Sequence, residues 1–333
     1  MNIIIPMAGR GTRLRPHTLT TPKPLIPVAG KPIIEWLVKD IIELCPEKVD
    51  KIGFIIGDFG TQVEQDLIKV AEHFGAEGKI YYQDVALGTA HAILCAQELL
   101  TEKTIVAFAD TLFKSEFKLD TEKDGIIFVH QVEDPRAFGV VKMDDTSRIT
   151  DFVEKPQEFV SDLAIIGIYY FKDGPKLRSE MQYLIDNNIK EKGEFQLTNA
   201  MENMKVKGAN FYPGKVEEWL DCGNATATIY TNQRVLEFNK DEISLPNSIK
   251  NVNSVIIQPC FIGENVILEN AVVGPHVSIQ TDSKIKNSVV KNSIILNKTT
   301  IENKVISDSM IGNNVTIKGA NEILSIGDFT TQQ

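Results

Sequence analysis

The residues best suited to chemistry in this 333-residue chain lie near its start. A short apolar run, Ile3–Ile5, leads into the loop Ala8-Gly9-Arg10-Gly11-Thr12-Arg13-Leu14-Arg15. Residues 1 to 34 hold five cations, Arg10, Arg13, Arg15, Lys23 and Lys31, and no acid, in a chain whose net charge is −10. Glycines at 9 and 11 let backbone N–H groups approach a phosphate closely, and arginine or lysine supplies the countercharge. Neither common phosphate motif is present. No Gly-Lys-Ser/Thr closes a Walker loop, and Leu14 stands where the dinucleotide fingerprint needs its third glycine. The prolines of Pro22-Lys23-Pro24-Leu25-Ile26-Pro27 restrict the backbone around Lys23. A merely solvated lysine has no need of that stiffness. Asp110 closes the apolar run Ile105-Val-Ala-Phe-Ala, and a carboxylate at the C-terminal end of such a strand faces the ligand crevice of an open α/β sheet.

These groups need a scaffold, and the first two thirds of the chain spell one out. Apolar runs at Ile3–Ile5, Lys51–Ile56, Ile80–Gln83 and Thr104–Asp110 alternate with helical patterns at Ile33–Leu44, Thr61–Phe74 and Thr89–Leu100. Short apolar runs separated by helix-length segments indicate parallel β-α-β units and a doubly wound α/β sheet. After Gly125 strand-like runs dominate (Ile126–His130, Gly139–Met143, Ile165–Phe171), with a helix near Lys176–Asn187. The sheet is therefore expected to be mixed.

Composition bounds the rest. Hydrophobic residues make up 43% and charged residues 24%, an ordinary globular balance. The acidic net charge offers no field for nucleic acid or an anionic membrane surface. Four scattered cysteines form no Cys-x-x-Cys pair, which argues against a zinc site or a disulfide framework. No run approaches the roughly 20 apolar residues of a membrane helix, and Ile3–Ala8, interrupted by Pro6, is not a signal peptide. The expectation is a reduced, cytoplasmic protein.

Beyond about Asp241 the character of the chain changes. From Leu245 to Gln333 there is no Trp or Tyr, and Phe occurs only at 261 and 329. The small residues Ser254, Ala271 and Ser288 stand 17 apart, close to three hexapeptides. The phrase Ile262-Gly-Glu-Asn-Val returns as Val273-Gly-Pro-His-Val and Ile311-Gly-Asn-Asn-Val. Short β-stretches with small corner residues at this period predict a parallel β-helix solenoid; an Ile-rich β-sandwich is the alternative. The expected division is 1–240 and 248–333, joined by the helix Ala225–Phe238 and the segment 239–247. His276 in the solenoid is read as an exposed corner residue.

Gly9-Arg-Gly-Thr-Arg-Leu-Arg-Pro16 followed by Pro22-Lys-Pro-Leu-Ile-Pro-Val-Ala-Gly-Lys-Pro32 resembles the signature of the sugar-phosphate nucleotidylyltransferases. The likeness is greatest to long-form glucose-1-phosphate thymidylyltransferases, which carry a left-handed hexapeptide β-helix tail. It implies attack by a sugar 1-phosphate oxygen on the α-phosphorus of a nucleoside triphosphate, with release of pyrophosphate. By the same resemblance Arg13 and Lys23 are catalytic and hold the triphosphate, and the loop at Ala8, Gly9 and Gly11 binds nucleotide. Gln83 and Gly88 read a uracil or thymine edge. Asp110 and Asp221 match the metal-binding aspartates, which implies Mg²⁺, an ion that needs only one or two protein carboxylates plus phosphates. Glu154 and Lys155 match the sugar-phosphate motif, and Gly139 and Ile165 match backbone contacts to the sugar. Departures occur as well: Ala109 and Thr111 flank Asp110 where the family has glycine and asparagine, Thr89 replaces a common leucine, and Asn199 replaces an aspartate. Glu194 is a further sugar-site candidate, and His91 is read as a packing or capping residue. The activity implied is formation of dTDP-glucose from dTTP and glucose 1-phosphate, with UDP-glucose or another NDP-hexose as the near alternative. A solenoid that also acylates a sugar, and a non-catalytic regulatory subunit, are the alternatives of other classes. The partners expected are these two small substrates and further copies of the same chain.

Overall fold

The structure, a computed structural model, describes residues 1–9 and 11–320. Arg10, one of the candidate phosphate cations, and the last part of the expected 248–333 tail lie outside the described residues. The chain forms two compact units, one of Met1–Ile26 with Pro32–Gly223 and the other of Pro27–Lys31 with the chain from Asn224 onward.

In the first unit, β1 (Asn2–Pro6), β2 (Lys51–Ile56), β3 (Glu77–Tyr82) and β4 (Thr104–Ala107) are parallel, with β1 between β4 and β2. Ile3, Ile4 and Ile5 are fully buried. Continuous rather than alternating burial is what helices on both faces of a parallel sheet require. Helices α1 (Ile33–Leu44), α2 (Thr61–His73) and α3 (Thr89–Leu94) connect or follow these strands. In α1, Ile34, Leu37, Val38 and Ile41 recur on one face and are buried. The ribbon strand β5 (Thr111–Lys114) follows β4.

The mixed extension expected after Gly125 is present. The strands β6 (Gly125–Gln131), β7 (Gly139–Met143), β8 (Ile149–Glu154) and β9 (Leu163–Phe171) join the same sheet, and β9 runs antiparallel to β4, β6 and β7. Helices α4 (Gly174–Asp186) and α5 (Leu197–Val206) come next, and β10 (Phe211–Lys215) pairs in parallel with β6. The result is a nine-stranded mixed sheet. A separate antiparallel ribbon pairs β5 with β11 (Glu218–Asp221), setting Asp221 opposite Thr111.

The second unit is a left-handed parallel β-helix of three stacked sheets. One sheet runs from Lys250–Val252 through Ile267–Glu269, Lys284–Lys286 and Thr300–Glu302 to Thr316–Lys318, every neighbour parallel. Leu268, Ile285 and Ile301 from this sheet meet Val273, Val290, Ile262, Ile279 and Ile295 from the other two in a core of their own. At one corner Asn253, Asn270, Asn287 and Asn303 all adopt positive φ, from 47° to 56°. Their side chains form a ladder, each Nδ2 donating to the next Oδ1 at 2.9, 3.2 and 3.1 Å. Asparagine tolerates the left-handed conformation because its short polar side chain can bond locally. The coil length, 17 residues at the first two ladder steps, shortens to 16 at the third.

Helix α6 (Ala225–Phe238), read from the sequence as a linker before a boundary at 240, belongs to this second unit. Its buried Asn232 supplies the reason: Oδ1 accepts from the Ala29 N–H at 2.8 Å and from the Ser278 hydroxyl at 2.7 Å. His276 also departs from expectation. Its side chain is only 16% exposed and sits 2.5 Å from the Glu237 carboxylate of α6, so it is a packed corner and not a free one. No helix among the described residues is long and apolar enough to cross a membrane.

Candidate active site

The chain leaves β1 at Pro6, and the Met7 N–H is held by the Ile55 carbonyl at 2.8 Å, so the loop starts at the C-terminal edge of the parallel strands. Gly11 takes φ +57°, and a Cβ there would lie 2.9 Å from the Lys23 Cβ. Only glycine allows this turn and this closeness together. Leu14 is fully buried and pins the short Thr12–Leu14 turn. Lys23 is 8% exposed, and its Nζ lies 2.9 Å from Asp110 Oδ2. A buried ammonium is costly unless paired, and the Asp110 carboxylate at the end of β4 provides the pairing.

These residues open onto a cavity of about 410 Å³. Ala8, Gly9, Gly11, Arg13, Lys23 and Asp110 line one part of its wall, and Gln83, Gly88 and Glu194 line another. Gly88 has φ +115°, and a Cβ there would fall 2.5 Å from the Phe195 carbonyl oxygen. The backbone can therefore press against residues 194–195, where the Phe195 N–H donates to Leu87 O at 2.8 Å and the Ala90 N–H donates to Phe195 O at 2.9 Å. Thr89, which looked like a mere departure from the family pattern, completes the clamp. Its hydroxyl accepts from the Leu197 N–H at 2.8 Å and bonds Gln196 Oε1 at 3.2 Å. A hydroxyl at a helix start is a recognisable capping signal, but its partner lies more than a hundred residues away, beyond the reach of local pattern reading.

Gly139, Glu154, Lys155 and Ile165 are not on that wall; they meet on the antiparallel extension. Glu154 is the register partner of Gly139 across the β7/β8 hairpin. A Cβ on Gly139 would lie 3.0 Å from Glu154 Oε2 and 3.5 Å from Ile165 Cδ1, so the three form one small patch. Lys155 follows with φ +46°, its N–H donating to Phe138 O at 3.1 Å and its Nζ 3.7 Å from Glu154. Two aromatic residues without a signal in the sequence buttress these elements. Phe138 packs on Trp219 of β11 at 4.8 Å between ring centroids. Phe108 lines the cavity, and its N–H donates to the Gly167 carbonyl of β9 at 2.9 Å. Asn199 lies elsewhere, beside Glu154 and Glu202 in a second cavity of about 260 Å³.

Across the β5/β11 ribbon the backbones of Asp221 and Asp110 are brought together. Asp221 faces Thr111, and the Cys222 N–H donates to the Asp110 carbonyl at 3.0 Å. A Cβ placed on Gly223 would lie 2.8 Å from Asp221 Oδ2 and 3.3 Å from the Arg13 guanidinium, so that carboxylate also neighbours the arginine of the glycine-bearing loop. No group of three or more His, Cys, Asp or Glu that could hold a metal occurs among the described residues. A pair of carboxylates beside cations suits a hard cation that completes its shell with water and phosphate oxygens, and does not suit an all-protein cage.

A mixed sheet with a glycine- and arginine-bearing loop at its strand ends, beside two carboxylates, is an arrangement suited to phosphate groups. The sequence profile of the nucleotidyl transferase family matches residues 2–237, and the chain belongs to that family. It is a nucleotidyltransferase that takes a nucleoside triphosphate and a sugar phosphate. Among its relatives, a glucose-1-phosphate thymidylyltransferase from Streptomyces antibioticus is 29% identical, over 89% of this chain and 87% of its own length. A low-salt glycan biosynthesis nucleotidyltransferase from Haloferax volcanii is 28% identical, over 90% of this chain and 88% of its own. A bifunctional protein GlmU from Methanococcus maripaludis is 32% identical over 83% of this chain, which spans 62% of that protein. In fold, the structure resembles a UDP-glucose pyrophosphorylase bound to UDP-glucose, with a TM-score of 0.58 and 23% identity, over 71% of this chain and 98% of the other.

Proposed function

We propose that this protein joins a pyrimidine nucleoside triphosphate, dTTP in preference to UTP, to glucose 1-phosphate, giving dTDP-glucose and pyrophosphate. The observation that carries the reading is the Lys23–Asp110 pair on the wall of the 410 Å³ cavity, with Arg13 and the glycine loop beside it. The incoming sugar phosphate is already a nucleophile, so the protein's task is to align two repelling anions for in-line displacement. Arg13 and Lys23 hold the triphosphate and stabilise charge on the departing pyrophosphate. The backbone at Ala8, Gly9 and Gly11 lies along the phosphates. Gln83 and Gly88 receive the base, Lys155 binds the sugar phosphate, Glu154 accepts from sugar hydroxyls, and Gly139 and Ile165 offer backbone contacts. Asp110 and Asp221 would hold Mg²⁺, which when bound neutralises charge on the reacting phosphoryl group. Lys23 would then exchange part of its pairing with Asp110 for a phosphate oxygen.

Catalysis is assigned to residues 1–240 and assembly into a homo-oligomer to the solenoid, 248–333. In that solenoid Val255, Val289 and Val305 stand exposed in register on one sheet, and His276 is engaged with Glu237. The acidic chain and its four cysteines, which form no disulfide among the described residues, fit a cytoplasmic enzyme with no nucleic-acid or membrane partner. Pyrophosphate release measured over a panel of nucleoside triphosphates and sugar 1-phosphates tests the reading. The highest kcat/KM is expected for dTTP with glucose 1-phosphate, and a purine triphosphate in first place would overturn the base assignment.

A further inference from the structure

The stretch that carries Lys23 runs directly into a tight hairpin. The Ile26 N–H donates to the Lys23 carbonyl at 3.1 Å, and the Ile33 N–H donates to the Ile26 carbonyl at 3.1 Å. Between those bonds the two-residue strands Pro27–Val28 and Lys31–Pro32 pair with each other, joined by the turn Ala29-Gly30. Both turn residues have positive φ, +46° at Ala29 and +92° at Gly30. A left-handed alanine is strained and persists only where its surroundings hold it. Asn232 of α6 is what holds it. This side chain is fully buried; its Oδ1 accepts from the Ala29 N–H at 2.8 Å and from the Ser278 hydroxyl at 2.7 Å, and its Nδ2 donates to the His276 carbonyl at 3.4 Å. A backbone N–H can only donate and a carbonyl can only accept, so the carboxamide has a single orientation. Phe261 crowds the next residue, since a Cβ on Gly30 would run into its ring.

We propose that Asn232 is a positioning residue for the triphosphate: by holding the Ala29-Gly30 turn it sets the hairpin that fixes where Lys23 stands. The chain between them has little slack. Ala29 lies six positions beyond Lys23, and Pro24 and Pro27 stiffen the interval. Ile26, fully buried, belongs both to the Lys23 turn and to the bond that closes the hairpin base. Lys23 is itself seated closely, its Cβ only 2.9 Å from where a Cβ on Gly11 would lie, so a displaced hairpin shifts its Nζ from Asp110 and the glycine loop. The inference rests on the reading of Lys23 as a triphosphate ligand and deepens it, because it gives α6 a part in nucleotide binding. Asn232 does not line the cavity and acts through the hairpin.

The test measures dissociation constants for dTTP and dTMP by calorimetry, on the full-length protein with Mg²⁺ and no sugar phosphate, in Asn232→Ala and in Asn232→Ala combined with Ala29→Gly. The monophosphate lacks the β- and γ-phosphates, so a general loosening of the fold weakens both nucleotides alike. Affinity for dTTP should fall about three- to tenfold in Asn232→Ala, the equivalent of one neutral hydrogen bond, with dTMP unchanged within about twofold. Glycine at 29 adopts a positive φ unaided, so the double variant should recover most of the dTTP affinity. A dTTP affinity unchanged within about twofold in Asn232→Ala, an equal loss for both nucleotides, or no recovery in the double variant overturns the proposal. Should Asn232→Ala fail to fold, Phe261→Ala withdraws the contact at Gly30 from a partly exposed coil position. The same selective loss of dTTP affinity is expected there, and its absence overturns the proposal. Pyrophosphate release by the native protein judges the transferase reading separately.

Discussion

The two units of this chain spend their polar residues in opposite ways. In the α/β unit they converge from distant parts of the sequence on a cavity: Arg13 and Lys23 from the first loop, Gln83 and Gly88 from the middle, Asp110 from a strand end. In the β-helix the polar residues bond one another along the stack. The Asn253–Asn270–Asn287–Asn303 ladder, the Lys284–Glu269 pair and the His276–Glu237 pair are closed among themselves. A solenoid gains stability repeat by repeat from nearest neighbours, so its polar groups are best satisfied within the stack. A doubly wound sheet collects its loops at one edge, where unlike residues can be aimed at one ligand. Convergence of unlike side chains therefore separates a site from a scaffold better than their number does.

The largest effect that could break this contrast is catalytic. Lys23→Ala and Arg13→Ala should each lower kcat/KM by about a hundredfold or more, because a charge-assisted contact made in the transition state contributes roughly 3 kcal/mol. Steady-state assays beside His276→Ala, which should retain activity, measure both sides of the comparison. Near-native turnover in Lys23→Ala would erase it.

Next comes the carboxylate pair. Asp110→Asn and Asp221→Asn should each raise the Mg²⁺ concentration for half-maximal activity, by about tenfold, since one anionic ligand is lost while the shape is kept. Metal titration of the initial rate reads this. Full activity in excess EDTA would remove the ion from the scheme.

The scaffold side is sharpened by Asn270→Ala. It deletes two ladder bonds, at 2.9 and 3.2 Å, and places a Cβ without a local bond at φ +49°. A loss of about 1–2 kcal/mol is expected in denaturant melts, with kcat unchanged. Asn270→Gly should recover the backbone share of that loss.

The parallel core, the mixed extension and the coiled tail could all be read from the chain, because each rests on periodic burial: Ile3–Ile5 on both faces, α1 on one face, and a small residue every 17 positions in the tail. The acid-free stretch before Ile34 likewise stood out against the chain's net charge of −10. What could not be read depends on contacts between segments far apart in sequence. Nothing local tells that Thr89 will hold residues 196–197, that Phe138 will meet Trp219, or that α6 will pack on the coils through Asn232 instead of serving as a spacer. The sequence places His276 at an exposed corner for the same reason: its partner, Glu237, lies on that helix.

The smallest expected effect is a pH dependence confined to the α/β unit. Burial pushes the Asp40 carboxyl on α1 up to about 7. The folded state then holds this proton more tightly than the unfolded chain, so stability present at pH below about 4 is lost as pH rises through 7. Asp40→Asn should flatten that slope and raise Tm at pH 8, in thermal melts across the range. An unchanged slope would mean that the carboxyl is solvated.

The division of labour is tested most directly by phosphorus-31 spectra of the full-length protein with dTTP, glucose 1-phosphate and Mg²⁺. The two coupled doublets of a sugar nucleotide and the singlet of pyrophosphate should grow together at equal rates. They should be absent from Lys23→Ala and unaltered in His276→Ala. Free phosphate alone, no change with any sugar 1-phosphate, or product that survives Lys23→Ala and vanishes with His276→Ala would contradict a catalytic α/β unit and a structural solenoid.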